Sequence, residues 1–564
     1  MSVHDYIQSD LEKAVKKAGF DDVSGVAVTS TTDMQFGDYT TSWALQRSKT
    51  LGQSPAELAE KIVGSFSESE IYQKPEVVKP GFINFRLKSD FLGKHLRLVL
   101  AEGSRFGSAT TFKGKRALVE YSSPNIAKPM HVGHLRNTNI GQALVNLLSF
   151  VGYETISDNH LGDWGTQFGR MLWAYKMWGH GIENPKVQDL LDLYVRFHEE
   201  AKTHPHLLNE AKEEFARLEQ GDKENRQLWE QFTKISLDEF NRLYAELGAK
   251  FDYQHGESFY HKSFASVTDE LLRAGVVVRD PDNSVVAKFE DTPPLVLMKS
   301  DGATLYGIRD LATAKYRREK FDPDLVLLVV AVEQSLYWQQ LFELLRKLNW
   351  MGKAEYVHVS YGLTRLKEGK MSTRAGDIVS AEQLIGEAKS RAEKLLAEKN
   401  PGVKVSQKLV GQIAIGSIKW ADLKISRESG VIFDWDSVFA WEGNSGPYMQ
   451  YSYARIQSLL KKSLKEDLST FSVDRLEGEH EQYILRMIAK FPEVVEGSAR
   501  SFSPQALSHY AFSLAQEFSK FYENVPVLSS EGADRKARLA LVRAVGIVLK
   551  NSLDLLAIPT PEKI

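Results

Sequence analysis

The stretch "RALVEYSSPNIAKPMHVGHLRNTNIGQALVNLLSFVGYETISDNHLGDWG", residues 116–165, decides the fold. Its first part, "RALVEYSSP" (116–124), reads as a strand ending at proline. From Leu135 the apolar residues recur at helical spacing, through Ile140, Ala143, Leu144, Leu147 and Leu148. "YETISDNHLGDWG" (153–165) reads as a second strand. Strand, loop, helix, strand is a βαβ unit, and it predicts a parallel sheet of Rossmann type. Ligands of such sheets lie beyond the carboxyl ends of the strands, which directs attention to the loop at 124–134. His131 and His134 fall in or just before the first helical turn. Unpaired N–H groups and a partial positive charge there suit an anion, phosphate above all. A metal pair is the competing reading, but three-residue spacing with no nearby third ligand argues against it, and no metal site is expected.

The bulk properties set the frame. At 564 residues the chain is too long for one core, and two to four domains are expected. Apolar residues at 43% and charged residues at 26% describe an ordinary globular protein. The longest apolar run, "LVLLVVAV" (325–332), is far too short for a membrane span and reads as a buried parallel strand. The opening "MSVHDYIQSDLEKAVKKAGF" is charged and amphipathic, unlike a signal peptide. With no cysteine, disulfides and thiolate metal sites are excluded, which fits a cytoplasmic location. A net charge of −3 does not announce a nucleic-acid binder. It leaves room for a local basic face, as at "KYRREK" (315–320) or "RKARLALVR" (535–543).

Patterning divides the chain into four parts. Residues 1–108 read as a small α+β domain, with helices at 3–19 and 54–65 and a strand in "GFINFRL" (81–87). Residues 109–375 read as the Rossmann-type domain, with a charged helical insertion at about 185–250. Its sheet is expected to resume with "SVVAKF" (284–289), "PLVLMKSDG" (294–302) and "DLVLLVVAV" (324–332). A helical connecting region (376–445) leads to an all-α bundle (446–564), where "ALSHYAFSLAQEFSKFYENV" and "RKARLALVRAVGIVLKNSLDLLAI" are strongly amphipathic. The fold class is therefore multidomain α/β.

The second chemical signal is "GKMSTR", Gly369–Arg374: lysine, serine, threonine and arginine on a glycine-flanked loop, able to wrap a polyphosphate. A His-x-Gly-His helix start followed, beyond the last strand, by a Lys-Met-Ser loop resembles the paired signatures of class I aminoacyl-tRNA synthetases. Longer segments resemble the arginyl-tRNA synthetase family in particular: "EYSSPNIAKPMHVGHLRNTNIG", "NHLGDWGTQFG", "LYGIRDLATAKYR", "FDWDSVFAWEGNSGPYMQYSYARI" and "FGDYTTSWA". The resemblance spans nearly the whole chain. One departure is Thr373 where the signature usually has a second lysine. Many members of the family carry a lysine just ahead of the histidines instead, and Lys128 holds that place.

The resemblance implies ATP-dependent ligation of L-arginine to tRNA(Arg) through an arginyl-adenylate, with transfer to the terminal adenosine 2′-hydroxyl. The catalytic candidates are Lys128, His131, His134 and Lys370. ATP would also meet Pro124, Gly133, Met371, Ser372 and Thr373, and would bring Mg2+ without a dedicated protein site. Arginine would be held by Glu120, Asn125, Tyr306, Asp310 and Gln334. The reason in chemistry is that a guanidinium has five donors in a planar fork and matches carboxylates. No role follows for Tyr337, where the family often has histidine. RNA contacts would come from Phe36 and Tyr39 and, in the bundle, from Tyr448, Gln450, Tyr451 and Tyr453, although aromatic residues at that spacing are more often helix core. A monomer without membrane attachment is expected. Another adenylate-forming ligase and a non-catalytic tRNA-binding relative are the alternatives.

Overall fold

The computed structural model describes residues 3–31, 34–367, 379–399, 401–402, 404–463, 466, 468 and 470–564. Its centre is a parallel sheet of β1 (Arg116–Glu120), β2 (Glu154–Asp158), β3 (Leu325–Ala331) and β4 (Glu355–Tyr361), in spatial order β4-β3-β1-β2. Register is fixed by apolar residues in the interior: Leu118 opposes Ile156 on one side and Val326 on the other, and Val329 opposes Val359. Helix α1 (Val132–Phe150) makes the crossover from β1 to β2, burying Leu135, Ile140, Ala143, Leu144 and Leu147. Strand β1 has β2 on one side and β3 on the other. The order therefore reverses at β1, and the crevice beyond its carboxyl end is where the quoted loop lies.

Two of the expected strands do not join this sheet. Val285–Ala287 and Leu295–Met298 form, with Val278–Arg279, a separate antiparallel sheet of three strands. The reason is chain length. Parallel neighbours need a crossover of a dozen or more residues, and the linker "KFEDTPP" is short and ends in two prolines. The fourth parallel strand, β4, is instead "EYVHVSY", an edge strand whose mixed polarity hides it from a pattern search. The region read as wholly helical also holds a short strand, Val431–Phe433, paired in parallel with Thr364–Leu366.

The insertion is three helices, Val187–Thr203, Leu207–Glu219 and Lys223–Leu247. The C-terminal bundle comprises Gly446–Lys461, Glu479–Arg500, Pro504–Asn524 and Gly532–Leu555. The N-terminal unit is a four-stranded antiparallel sheet backed by helices Val3–Lys17, Trp43–Leu51 and Pro55–Val63. Helix Ser89–Glu102, which follows it, packs on the bundle helices Glu479–Arg500 and Gly532–Leu555. Among the described residues no helix is long and apolar enough to cross a membrane.

The first unit is clamped to the bundle by charge. Asp38 is almost fully buried, with Arg486 Nε 3.1 Å from Oδ1 and the Leu87 N–H donating to Oδ2. Lys490 donates to the Asp38 carbonyl, and the Tyr39 hydroxyl donates to Glu493 at 2.8 Å. Arg486→Ala would leave a buried carboxylate without its cation. We expect a cost of about 3–5 kcal/mol in the N-terminal unit's stability, read by hydrogen exchange of its sheet. Protection equal to wild type would show that the pair contributes nothing.

Candidate active site

Helix α1 starts in an unusual way. His131 is its N-cap, and its Nδ1 accepts from the Gly133 N–H at 3.1 Å. His134, at the third helical position, accepts the His131 N–H on its own Nδ1 at 3.2 Å. This is a capping box made of two histidines. A ring nitrogen that accepts from a backbone N–H carries no proton itself. In both neutral imidazoles the hydrogen therefore sits on Nε2. Burial lowers the pKa of both rings, that of His134 to about 3, with the charge of His131 adding to it. At neutral pH they are uncharged Nε2–H donors, which corrects the expectation of a cationic pair.

A second correction concerns the backbone. The first four N–H groups of α1 are all taken: Val132 by the Val379 carbonyl, Gly133 by His131 Nδ1, His134 and Leu135 by the His131 carbonyl. The expected free amides are not there, so donors to a phosphate must come from side chains.

Lys370, Met371, Ser372 and Thr373 lie outside the described residues. The chain that follows them does not. Ser380 bridges to His131, and the Ala381 N–H donates to the Met130 carbonyl at 2.7 Å. Lys128 stands three residues ahead of His131, with Nζ 4.7 Å from the centre of the Tyr194 ring on the insertion. Pro124 and Asn125 sit on the loop beyond β1, tied to Gly162 by Ile126 N–H to Gly162 O and Gly162 N–H to Pro124 O. A methyl group on Gly162 would come within 2.1 Å of Asn125 Oδ1, so only glycine leaves room for that amide.

Across the crevice lies an acidic pocket. Asp310, on α2 (Tyr306–Phe321), accepts a hydrogen bond from the Tyr337 hydroxyl, while 18% of its side chain stays open. Burial raises its pKa to about 7, partly countered by Tyr337 and reinforced by Glu120. Glu120 is not a free partner for a ligand as expected. Its Oε2 accepts from Arg317 Nη1 at 2.6 Å, and Arg317 also holds Asp158 at 2.8 Å. Glu257, raised to about 8 mainly by burial, accepts from Arg309 at 2.6 Å. His160 lies 3.9 Å from Asp310, and neither its ring nitrogens nor the Tyr260 hydroxyl has a partner among the described residues. Tyr306 is exposed at the start of α2, and Gln334 is exposed in the turn just beyond β3. Tyr337, Arg317 and Glu257 were not read from the sequence. The spacing of Tyr306, Asp310 and Arg317, at i, i+4 and i+11, was a usable signal for a shared helix face.

The RNA candidates divide sharply. Tyr39, Gln450 and Tyr453 are buried: Tyr39 in the clamp, Gln450 by bonds to the Gln412 and Pro559 carbonyls, Tyr453 in the bundle. A ring or amide so enclosed has no face for a base, and these three are corrected to core roles. Phe36 is 47% exposed. Tyr448 and Tyr451 are partly exposed, with Arg455 5.0 Å from the Tyr451 ring.

Comparison with known proteins decides the family. Residues 95–435 match the family described as class I tRNA synthetases (R), catalytic domain. Residues 5–87 match the arginyl tRNA synthetase N terminal domain, and 449–564 the DALR anticodon binding domain. The chain belongs to the arginyl-tRNA synthetase family. It is 34% identical over 551 residues to the arginine–tRNA ligase of Fusobacterium nucleatum, covering 95% of each chain. It is 38% identical over 523 residues to that of Clostridium acetobutylicum, covering 92% of each. The crystal structure of arginyl-tRNA synthetase from Plasmodium falciparum superposes with a TM-score of 0.86 at 27% identity, covering 100% of this chain and 99% of that one.

For an arginyl-tRNA synthetase the pocket's titration has a direct consequence. A guanidinium needs Asp310 ionised. With its pKa at about 7, the arginine KM should rise about tenfold per pH unit below 7 and level off above about 8. Asp310→Asn should raise KM and flatten that dependence. A wild-type KM constant between about pH 6 and pH 8 would show that Asp310 does not carry the charge.

Histidine burial has a separate consequence for stability. His134 binds a proton in the unfolded chain below its ordinary 6.5 but in the folded chain only near 3. Stability is therefore full above 6.5 and is lost as pH falls from there toward 3. His134→Asn, which keeps a capping acceptor, should show a shallower fall of Tm over that range. An identical slope would mean that the ring is already protonated in the fold.

Proposed function

We propose that this chain performs the family's reaction, ATP-dependent ligation of L-arginine to tRNA(Arg), with the following division of labour. The arginine carboxylate attacks the α-phosphorus of ATP, arginyl-adenylate forms and pyrophosphate leaves. The transition state spreads negative charge over phosphoryl oxygens, so it calls for positioned donors. His131 and His134 supply Nε2–H groups beside Pro124 and Gly133, while Lys128 and the Lys370–Thr373 segment supply charge and hydroxyls to the phosphates. Asp310 takes the guanidinium, oriented by Tyr337, with Tyr306, Asn125 and Gln334 around the rest of the amino acid. Glu120 stays paired to Arg317 and shapes the pocket's charge. The adenylate then passes to the 2′-hydroxyl of the terminal adenosine.

One observation supports this reading above the others. The two-histidine helix start, the chain leaving the Lys-Met-Ser segment and the acidic pocket share one crevice at the carboxyl edge of the sheet. Among the described residues no group of three or more His, Asp or Glu is arranged to hold a metal ion. Mg2+ is accordingly placed on the ATP phosphates, and no step is routed through it. The proposal extends to domains at 1–108, 109–375, 376–445 and 446–564, to tRNA contacts from Phe36, Tyr448 and Tyr451, and to a cytoplasmic monomer.

The test is ATP–pyrophosphate exchange with each amino acid, with and without tRNA(Arg). Exchange with arginine in the presence of tRNA is expected, and exchange driven by another amino acid alone would overturn the reading. Within that assay His134→Ala should lower the rate by about 10²–10³, the cost of one transition-state donor. A loss below about tenfold would remove His134 from the phosphate role.

A further inference from the structure

The segment that carries Lys370 is moored to α1 at both ends, and we propose that Arg136 is the positioning residue that sets one of those moorings. The proposal rests on the reading that His131, His134 and Lys370 act on one ATP molecule.

Arg136 is completely buried, two residues beyond His134 on α1. Its Nη2 donates to three backbone carbonyls of one loop: Ser426 at 3.2 Å, Arg427 at 3.1 Å and Ser429 at 2.8 Å. That loop runs directly into Val431–Phe433, which pairs with Thr364–Leu366 in the register Thr364 to Val431 and Leu366 to Phe433. Three further bonds fix the same junction. The Gly362 N–H donates to Arg427 O at 2.8 Å, Arg427 Nη1 to Ser360 O at 2.8 Å, and the Lys367 N–H to Phe433 O at 3.3 Å. Lys367 is the last described residue before Gly369. The approach is close: a methyl group on Gly362 would lie 2.7 Å from Gly430 N and from Ser429 C. At the other end Val379 and Ser380 pair with Val132 and His131.

The chain entering the Lys-Met-Ser segment thus hangs on Arg136, and the chain leaving it hangs on His131. A buried guanidinium is suited to the first task, because its planar fork is rigid and always charged, whereas a lysine is a flexible point charge. Only backbone carbonyls receive it, so it fixes the loop's path whatever side chains the loop carries. Phosphate donors on two separate stretches of chain must be held to a fraction of an ångström, and a displacement of about 1 Å costs about 10²-fold in rate.

The experiment measures arginine-dependent ATP–pyrophosphate exchange with tRNA(Arg) for Arg136→Lys, Gly362→Ala and His134→Ala, normalised to active-site titre, with Tm recorded in parallel. Gly362→Ala pushes the same loop away without touching Arg136. The expected result for both positioning variants is kcat per active site down about 10²-fold, the arginine KM within about twofold of wild type, and the ATP KM raised. If Arg136→Lys does not fold, Gly362→Ala decides. A lowered Tm with kcat per active site within about threefold of wild type in both means a structural role only and overturns the proposal. A loss in His134→Ala with none in the other two overturns the mooring alone. No loss in His134→Ala removes the ATP reading beneath it.

Discussion

How one helix begins governs the rest of this molecule. Two imidazoles cap α1 by accepting backbone N–H groups on Nδ1. The same bonds choose the tautomer and leave the two Nε2–H groups as the donors at the head of the crevice. Because the first four amides are consumed internally, the helix offers its ligand fixed side-chain donors and the field of its dipole. Neutral donors suit a reaction whose charge develops late, because they stabilise it without binding the ground state as strongly as a cation would.

The amino-acid pocket follows a different logic. Four carboxylates, Glu120, Asp158, Glu257 and Asp310, sit close together in low dielectric, and two arginines of α2 neutralise three of them. Asp310 has a tyrosine hydroxyl in place of a cation, and its pKa rises accordingly. A basic side chain entering here would find the one carboxylate without an arginine partner. The unpartnered ring nitrogens of His160 add to the cost of leaving the pocket empty.

Much of this was legible in the sequence where local pattern and global fold agree. The βαβ unit, the helix start at His131, the helical insertion and the bundle all carry periodicity strong enough to survive tertiary packing. Strands at 285–287 and 295–298 were legible as strands but not as members of a different sheet, since pairing is a long-range property. The edge strand β4 and the short pair 364–366 with 431–433 lack a pattern of their own. In the site, residue types were readable but commitments were not. Glu120 and Tyr39 look like free binding groups until Arg317 and Glu493 are seen against them. Tyr337 looked idle until its hydroxyl was placed on Asp310.

The account stands or falls on the protonation of two rings. Nitrogen-15 correlation spectra of the protein labelled at histidine, recorded at neutral pH with His131→Asn and His134→Asn used for assignment, report that state directly. The account predicts neutral imidazoles with the hydrogen on Nε2 and a bare Nδ1 at both positions. Imidazolium signals, or hydrogen on Nδ1, would contradict the capping geometry and with it the donors assigned to ATP.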